Sequence, residues 1–316
     1  MLDRDARLYV AGRRGLAGAA VVRAARAAGF TDVVGATSAE VDLLDRDTVF
    51  AHLAAVRPDA LVLAAAKVGG IVANASFPTE FLSENLRIQV NVMDAARAAG
   101  VRRLLFLGSS CIYPRLAEQP IREDSLLTGP LEPTNEAYAV AKIAGIMAVQ
   151  SVRSQYGLPW ISAMPTNLYG PGDNFHPEHS HVLPALIRRF HEAALSGARE
   201  VVLWGTGKPR REFLHSDDLG RALVHLLDHY DDPRTINVGV GSDVTIRELA
   251  ELVADVVGFD GAIVQDTDRP DGTPRKLLDV GRLTALGWEP AVGLREGVER
   301  TYRWFVEHHG GARVGR

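Results

Sequence analysis

The stretch LYVAGRRGLAG, residues 8–18, decides the fold. Leu8 to Ala11 is a short unbroken apolar run, as a parallel strand covered on both faces requires. It empties into Gly12, Arg13, Arg14, Gly15, Leu16, Ala17 and Gly18, and an alanine-rich helix follows that ends near Gly29. In such a unit of strand, glycine loop and helix, a dinucleotide pyrophosphate can approach bare backbone and rest on a helix amino terminus. The spacing is GxxGxxG rather than GxGxxG, so a tight turn without a ligand is the plain alternative. The strand before and the helix after favour binding.

Working outward, Asp32 to Ala36 reads as a second strand that ends where an adenosine ribose lies. An acidic residue there selects NAD through the 2′-hydroxyl. Ala36, Thr37 and Ser38 follow instead, with Glu40 and Asp42 too late, while Arg13 and Arg14 suit a 2′-phosphate and favour NADP. Two solvated surface arginines are the alternative. Leu43 to Arg57 reads as a helix, Asp59 to Ala66 as a third strand, and Lys67 to Ile71 as a loop beside the cofactor cleft. A long amphipathic helix spans Thr79 to Ala99, Arg103 to Ser109 is a fourth strand, Asn135 to Tyr156 another helix, and Trp160 to Met164 the next strand. Alternating strands and helices predict an α/β fold: a Rossmann-type, doubly wound parallel sheet.

Beyond Pro165 the texture changes to turn residues and then to short elements. Helices are expected from His181 to Ser196 and after Asp217, strands at Val201 to Trp204, Glu212 to His215 and Ile236 to Gly239. Thr245-Ile246-Arg247-Glu248 is a capping box opening a helix that runs to Val257. Residues 1–168 are thus expected to form the cofactor domain, with a segment near 211–240 returning to it, and residues 169–316 a smaller α/β substrate domain. The tail from Gly310 is expected to fray.

The chemistry centres on Tyr138-Ala139-Val140-Ala141-Lys142. Residues four apart on a helix share a face, so phenol and ammonium can converge on one ligand. A lysine held near a tyrosine is expected to lower the phenol's pKa from about 10 towards working pH. Ser109 closes the fourth strand, where its hydroxyl can share a substrate carbonyl with Tyr138. A lone YxxxK occurs by chance in many helices, and its weight comes from this company.

Bulk properties narrow the classes. The 316 residues are 47% hydrophobic, ordinary for a globular core, and the formal charge of -4 argues against general nucleic-acid binding. One cysteine, Cys111, excludes an internal disulfide framework and a cysteine zinc site, and fits a reducing cytosol. The charged amino terminus is no secretory signal, and no apolar run reaches the roughly 18 residues of a membrane span. A cytoplasmic protein is expected. His176, His179 and His181 sit in a proline-broken loop with no evident fourth ligand, which disfavours a metal site.

The segments AAAKVGGIVAN (64–74), LLFLGSSCIYP (104–114), EPTNEAYAVAKIAG (132–145), MPTNLYGPGDNFHP (164–177), REFLHSDD (211–218) and PDGTPRKLLDV (270–280) resemble those of the GDP-L-fucose synthases. These are 3,5-epimerase and 4-reductase enzymes of the extended short-chain dehydrogenase/reductase family acting on GDP-4-keto-6-deoxymannose. The resemblance runs from about residue 7 to 308. It implies that Ser109, Tyr138 and Lys142 form the reductase triad, and that Cys111 and His181 move protons during epimerisation. It implies cofactor contacts from Gly12 to Gly18, Leu107, Gly108, Lys142, Pro165, Thr166, Asn167, Leu168 and His181. It further implies GDP-sugar contacts from Arg189, Trp204, Arg211 and Asp271, and a homodimer built on the two long helices. Relatives often carry arginines after the second strand, where this chain has Ala36 and Ser38. A buried structural cysteine and a loop histidine are the alternatives for Cys111 and His181. Arg188, Arg189, Lys208, Arg210, Arg211, Arg269, Arg275 and Lys276 gather where a nucleotide diphosphate would bind, and at least half should be ordinary solvated charge. The competing function is a non-redox, NAD-dependent nucleotide-sugar epimerase or dehydratase, or a related enzyme of another GDP-6-deoxy-ketosugar.

Overall fold

In the computed structural model, which describes residues 1–268 and 271–308, β1 (Leu8–Ala11) sends Leu8 and Val10 into one apolar core and Tyr9 and Ala11 into another. Successive side chains of a strand point to opposite faces, so a run apolar throughout needs cover on both. The chain continues through α1 (Leu16–Ala27), β2 (Val33–Val34), α2 (Arg46–Val56), β3 (Ala60–Leu63), α3 (Ile71–Ser76), α4 (Pro78–Ala98), β4 (Arg103–Leu107), α5 (Glu136–Tyr156) and β5 (Ile161–Pro165). Every residue of β1, β3, β4 and β5 is buried. Their alternate residues divide between the same two cores, for example Val62 and Leu105 against Leu61 and Phe106.

The second half supplies β6 (Asn167–Tyr169), α6 (Val182–Ser196), β7 (Glu200–Trp204), β8 (Arg210–Arg211), β9 (Phe213–His215), α7 (Ser216–His229), β10 (Ile236–Val238), β11 (Val244–Thr245), α8 (Ile246–Val257), β12 (Ala262–Asp266), β13 (Arg275–Lys276), α9 (Gly281–Ala285) and α10 (Leu294–His308). The main sheet has the order β2-β1-β3-β4-β5-β10, and all its pairs are parallel. Strand order reverses between β1 and β3, the crevice where open α/β sheets bind ligands at their carboxyl ends. α7 lies beside α1 on one face: a Cβ on Gly220 would stand 2.4 Å from the Ala20 carbonyl oxygen. A third core joins α6, α8 and α10 through residues such as Phe190, Leu249 and Phe305. Small sheets tie the remainder: β6 with β9, β7 with β12, and β8 between β11 and β13.

Several boundaries differ from the sequence expectation: β3 ends at Leu63 rather than Ala66 and β4 at Leu107 rather than Ser109, and two further differences have a clear cause. β2 holds only Val33 and Val34, because it is an edge strand and Gly35 turns away against the Val10 carbonyl and the Arg13 side chain. α2 begins at Arg46 rather than Leu43, since the Asp45 carboxylate accepts the Thr48 N–H at 3.1 Å and caps it. The tail from Gly310 lies outside the described residues. Among those described, no helix is long and apolar enough to cross a membrane.

Candidate active site

Gly12 has φ +83°, and a Cβ on Gly18 would stand 2.2 Å from the Gly12 carbonyl oxygen, so the loop between β1 and α1 closes only with glycine at both ends. Gly15 is the N-cap of α1, and among the described residues no side chain makes a capping bond there. The amino end of α1 is thus left for an anionic ligand. Gly12, Gly15, Leu16, Ala17 and Gly18 line a cavity of ≈ 1020 Å³ that also takes in Ala36, Thr37 and Ser38 after β2. These residues fit a dinucleotide: glycine backbone for the pyrophosphate, and a strand end for the ribose where Asp42, expected to come too late, also lines the cavity. Arg13 and Arg14 stand outside the lining, with Arg13 Nη1 donating to Gly35 O at 2.8 Å and both cations acting on the Glu40 carboxylate. Glu40 itself is turned back to accept the Thr37 N–H at 2.7 Å.

The far wall is built by β4 and α5. A Cβ on Gly145 would meet the Phe106 ring at 2.4 Å and Gln89 Oε1 at 2.8 Å, so glycine lets α5 settle onto β4 and α4. Gln89 Nε2 then donates to Ala141 O at 2.6 Å. This seating turns Tyr138 and Lys142 into the cavity together with Leu107, Gly108, Ser109 and Cys111. Ser109 has extended dihedrals at the end of β4, and its Oγ accepts the Cys111 N–H at 3.2 Å. Tyr138 shares a hydrogen bond with Ser109. Lys142 is buried, its Nζ donating to Leu107 O at 2.8 Å and lying 5.8 Å from the Tyr138 ring centroid.

Here the expected effect of lysine on tyrosine is corrected. Burial pushes the Tyr138 phenol well above its usual range, the Cys111 thiol adds to the rise, and only the bond with Ser109 opposes it. Burial also brings Lys142 down to about 7, so its charge is weakened where it was to act. The phenol therefore keeps its proton, as a proton donor must.

Cys111 Sγ accepts from Asn135 Nδ2 at 3.3 Å and from Lys276 Nζ at 3.7 Å. His181 is the N-cap of α6, and its ring makes no capping bond. It is open to the cavity, yet the mass of protein around it disfavours the imidazolium and lowers its pKa. Pro165, Thr166, Asn167, Leu168, Arg211 and Asp271 complete the wall. Burial lowers the Arg211 pKa, while Asp271 holds a turn, accepting Thr206 N at 2.9 Å and Thr206 Oγ1 at 2.7 Å.

Arg189 and Trp204 do not line this cavity. Arg189 Nη1 donates to Val202 O at 2.8 Å, and its guanidinium lies 5.9 Å from the Trp204 ring, which is half exposed. Of the other basic residues, Arg188 pairs with Glu192, and Arg210 and Arg275 both pair with Asp243. Arg269 lies outside the described residues. His176 and His179 stack at 4.6 Å, and His176 Nδ1 accepts two backbone N–H groups.

Among the lining residues, Asn135 and Asp173 were given no role by the sequence reading, and Lys276 was read only as one of a basic group. Asn135 stands one turn before Tyr138 and could have been found by that spacing. Nothing local marks Asp173, which is 5% exposed, accepts the Asn174 N–H at 2.7 Å through Oδ1, and has no partner for Oδ2 among the described residues. Burial raises its pKa to about 7.

The model of the NAD dependent epimerase/dehydratase family matches residues 8–239. The chain is 61% identical over 309 residues to a probable GDP-L-fucose synthase 1 of Oryza sativa subsp. japonica, covering 98% of this chain and 94% of that one. It is 52% identical over 311 residues to the GDP-L-fucose synthase of Escherichia coli (strain K12), covering 96% and 97%. A crystal structure of a GDP-L-fucose synthetase from Naegleria fowleri bound to NADP superposes with a TM-score of 0.91 at 29% identity, covering 99% and 98%. With a parallel sheet, a glycine loop at its switch point and these full-length likenesses, the chain belongs to the NAD dependent epimerase/dehydratase family, in its GDP-L-fucose synthase branch.

Proposed function

We propose that the chain converts GDP-4-keto-6-deoxy-D-mannose to GDP-L-fucose by 3,5-epimerisation followed by NADPH-dependent reduction at C4. The observation that carries this reading is the meeting of Ser109, Cys111, Tyr138, Lys142 and His181 around one cavity. The C3 and C5 hydrogens of such a sugar flank its carbonyl, so removal of either proton leaves negative charge on the C4 oxygen. Ser109 and Tyr138 donate hydrogen bonds to that oxygen, each such donor contributing about 3 kcal/mol. Cys111 and His181 take a proton from one face of the ring and return one to the other, inverting the centre. Bound NADPH supplies the hydride that reduces C4, and Tyr138 gives its proton to the oxygen as the alcohol forms. The high phenol pKa suits this direction of transfer.

NADP over NAD is favoured by Arg13 and Arg14 beside the end of β2, where the carboxylate of Glu40 is engaged with Thr37. Residues 1–168, with α7 and β10, form the cofactor unit in this reading, and the rest from residue 169 the GDP-sugar unit, with Arg211 and Asp271 facing the nucleotide. Arg189 and Trp204 would meet the nucleotide where it extends past the cavity. The protein acts in the cytoplasm as a homodimer. Turnover with GDP-4-keto-6-deoxymannose tests the whole: NADPH should be consumed in proportion to substrate and faster than NADH. A cofactor that copurifies and is never consumed would favour the non-redox epimerase or dehydratase instead.

A further inference from the structure

Lys276 comes from the second half of the chain yet ends at the thiol of the first. β13 runs parallel to β8 with Lys276 opposite Arg211, and the segment around it is clamped to the loop that leads into α5. Thr273 Oγ1 donates to Glu132 Oε2 at 3.1 Å, Leu277 N to Gln119 Oε1 at 2.9 Å, and Ile121 N to Leu277 O at 2.7 Å. The two strands sort their cations. Arg210 and Arg275 are both neutralised by Asp243, whereas Arg211 and Lys276 line the cavity and form no ion pair among the described residues. Lys276 Nζ instead lies 3.7 Å from Cys111 Sγ, a sulfur that also receives the Asn135 amide at 3.3 Å. The charged and titratable groups of Arg211 and Tyr138 face the same thiol.

We propose that Lys276 is a positioning residue that holds the Cys111 sulfur in its ionised, proton-accepting form, with Asn135 fixing its direction. This rests on the reading of Cys111 as a proton-transfer group in epimerisation. A thiolate, not a thiol, is the base and nucleophile, and an adjacent ammonium stabilises it. The alternative for a cavity lysine is a contact to the diphosphate of the substrate.

Cys111 is the only cysteine of the chain, so alkylation by iodoacetamide reads this sulfur alone. Lys276→Met should slow alkylation near neutral pH about tenfold, because an ammonium beside the sulfur favours the reactive thiolate. It should slow deuterium uptake at C3 and C5 of GDP-4-keto-6-deoxymannose in heavy water by a similar factor. Lys276→Arg keeps a cation at this position and should stay within about threefold of wild type on both readings. Unaltered melting and NADP binding would certify that both variants fold. Alkylation of Lys276→Met at the wild-type rate overturns the proposal, and so does a raised KM with unchanged alkylation, which marks a diphosphate contact. Undiminished deuterium uptake by Cys111→Ser would instead overturn the role of Cys111 itself, whatever the lysine does.

Discussion

Tyr138 and Lys142 both sit where burial opposes charge, and that opposition suits a reductase. A phenol with a raised pKa holds the proton that the forming alcohol needs, and a lysine near 7 does not compel it to leave. Tyr138→Phe removes the donor and keeps the ring that packs edge-on against Phe81 at 6.3 Å. NADPH oxidation should fall about 10³–10⁴-fold, because the general acid is lost together with a donor to the oxygen, while deuterium uptake at C3 and C5 should fall only by the donor's share, about 10²-fold, with Ser109 still in place. Stopped-flow absorbance and mass spectrometry read the two steps, and equal loss of both would contradict the division of labour. Asp173 poses the converse problem. Its folded pKa of about 7 exceeds the unfolded value of about 3.9, so the folded state binds the extra proton between these limits. Stability is therefore fully present below about pH 4 and is lost as pH rises through about 7. Asp173→Asn cannot ionise, so its melting temperature should exceed that of wild type at about pH 8 and converge with it at about pH 4. A gap that does not change with pH would refute this. Neither effect was legible from residue spacing, because burial is a property of the packed molecule, and the i, i+4 rule shows that Tyr138 and Lys142 share a face but not how dry that face is.

In the proposed reading the turn from β1 into α1 carries cofactor binding, and its geometry is narrow. Gly18 approaches the Gly12 carbonyl so closely that one methyl group cannot be placed without moving backbone. Gly18→Ala should weaken NADPH binding at least tenfold, read by quenching of protein fluorescence, with helical content unchanged because alanine is itself a good helix former. Binding at wild-type strength would mean that the loop does not hold the pyrophosphate. Elements of this kind were legible because their signals are local: an apolar run buried on both faces, glycines at a turn, and the Thr245–Glu248 capping box, in which both bonds form. Where the reading missed, one cause was non-local and the other a local cap. β2 shrinks to two residues because, among the described residues, its only partner is β1, and the start of α2 moved to where one carboxylate, Asp45, finds the Thr48 amide three residues on.

At the scale of the whole molecule, residues far apart in the chain share one cavity because the second half returns to the first. β10 extends the main sheet beside β5, and Asn237 within it donates to Ile121 O and Asp279 O and accepts from Tyr113 Oη. Glu212, fully buried, accepts Val240 N, Gly241 N and Leu278 N, which fixes the segment bearing Lys276 against the strand that bears Arg211. No motif in a single sequence reports such a closure, which explains why the lysine at the thiol was read only as one of a basic group. The outer surface raises the remaining question. Val140 and Met147 are seven residues apart on α5, two turns and thus one face, and both are about half exposed, as is Val90 on the adjoining α4. An apolar stripe across two long neighbouring helices is well matched by a second copy of itself, since a two-fold axis presents the same stripe to its own image. If this is the dimer face, Met147→Glu should convert a dimer of about 68 kDa, twice the 34.2 kDa chain, into a monomer by multi-angle light scattering. The NADPH site lies on residues of a single chain and should survive the change. A wild-type chain that scatters as a monomer would remove the argument, and a variant that stays dimeric would move the interface elsewhere.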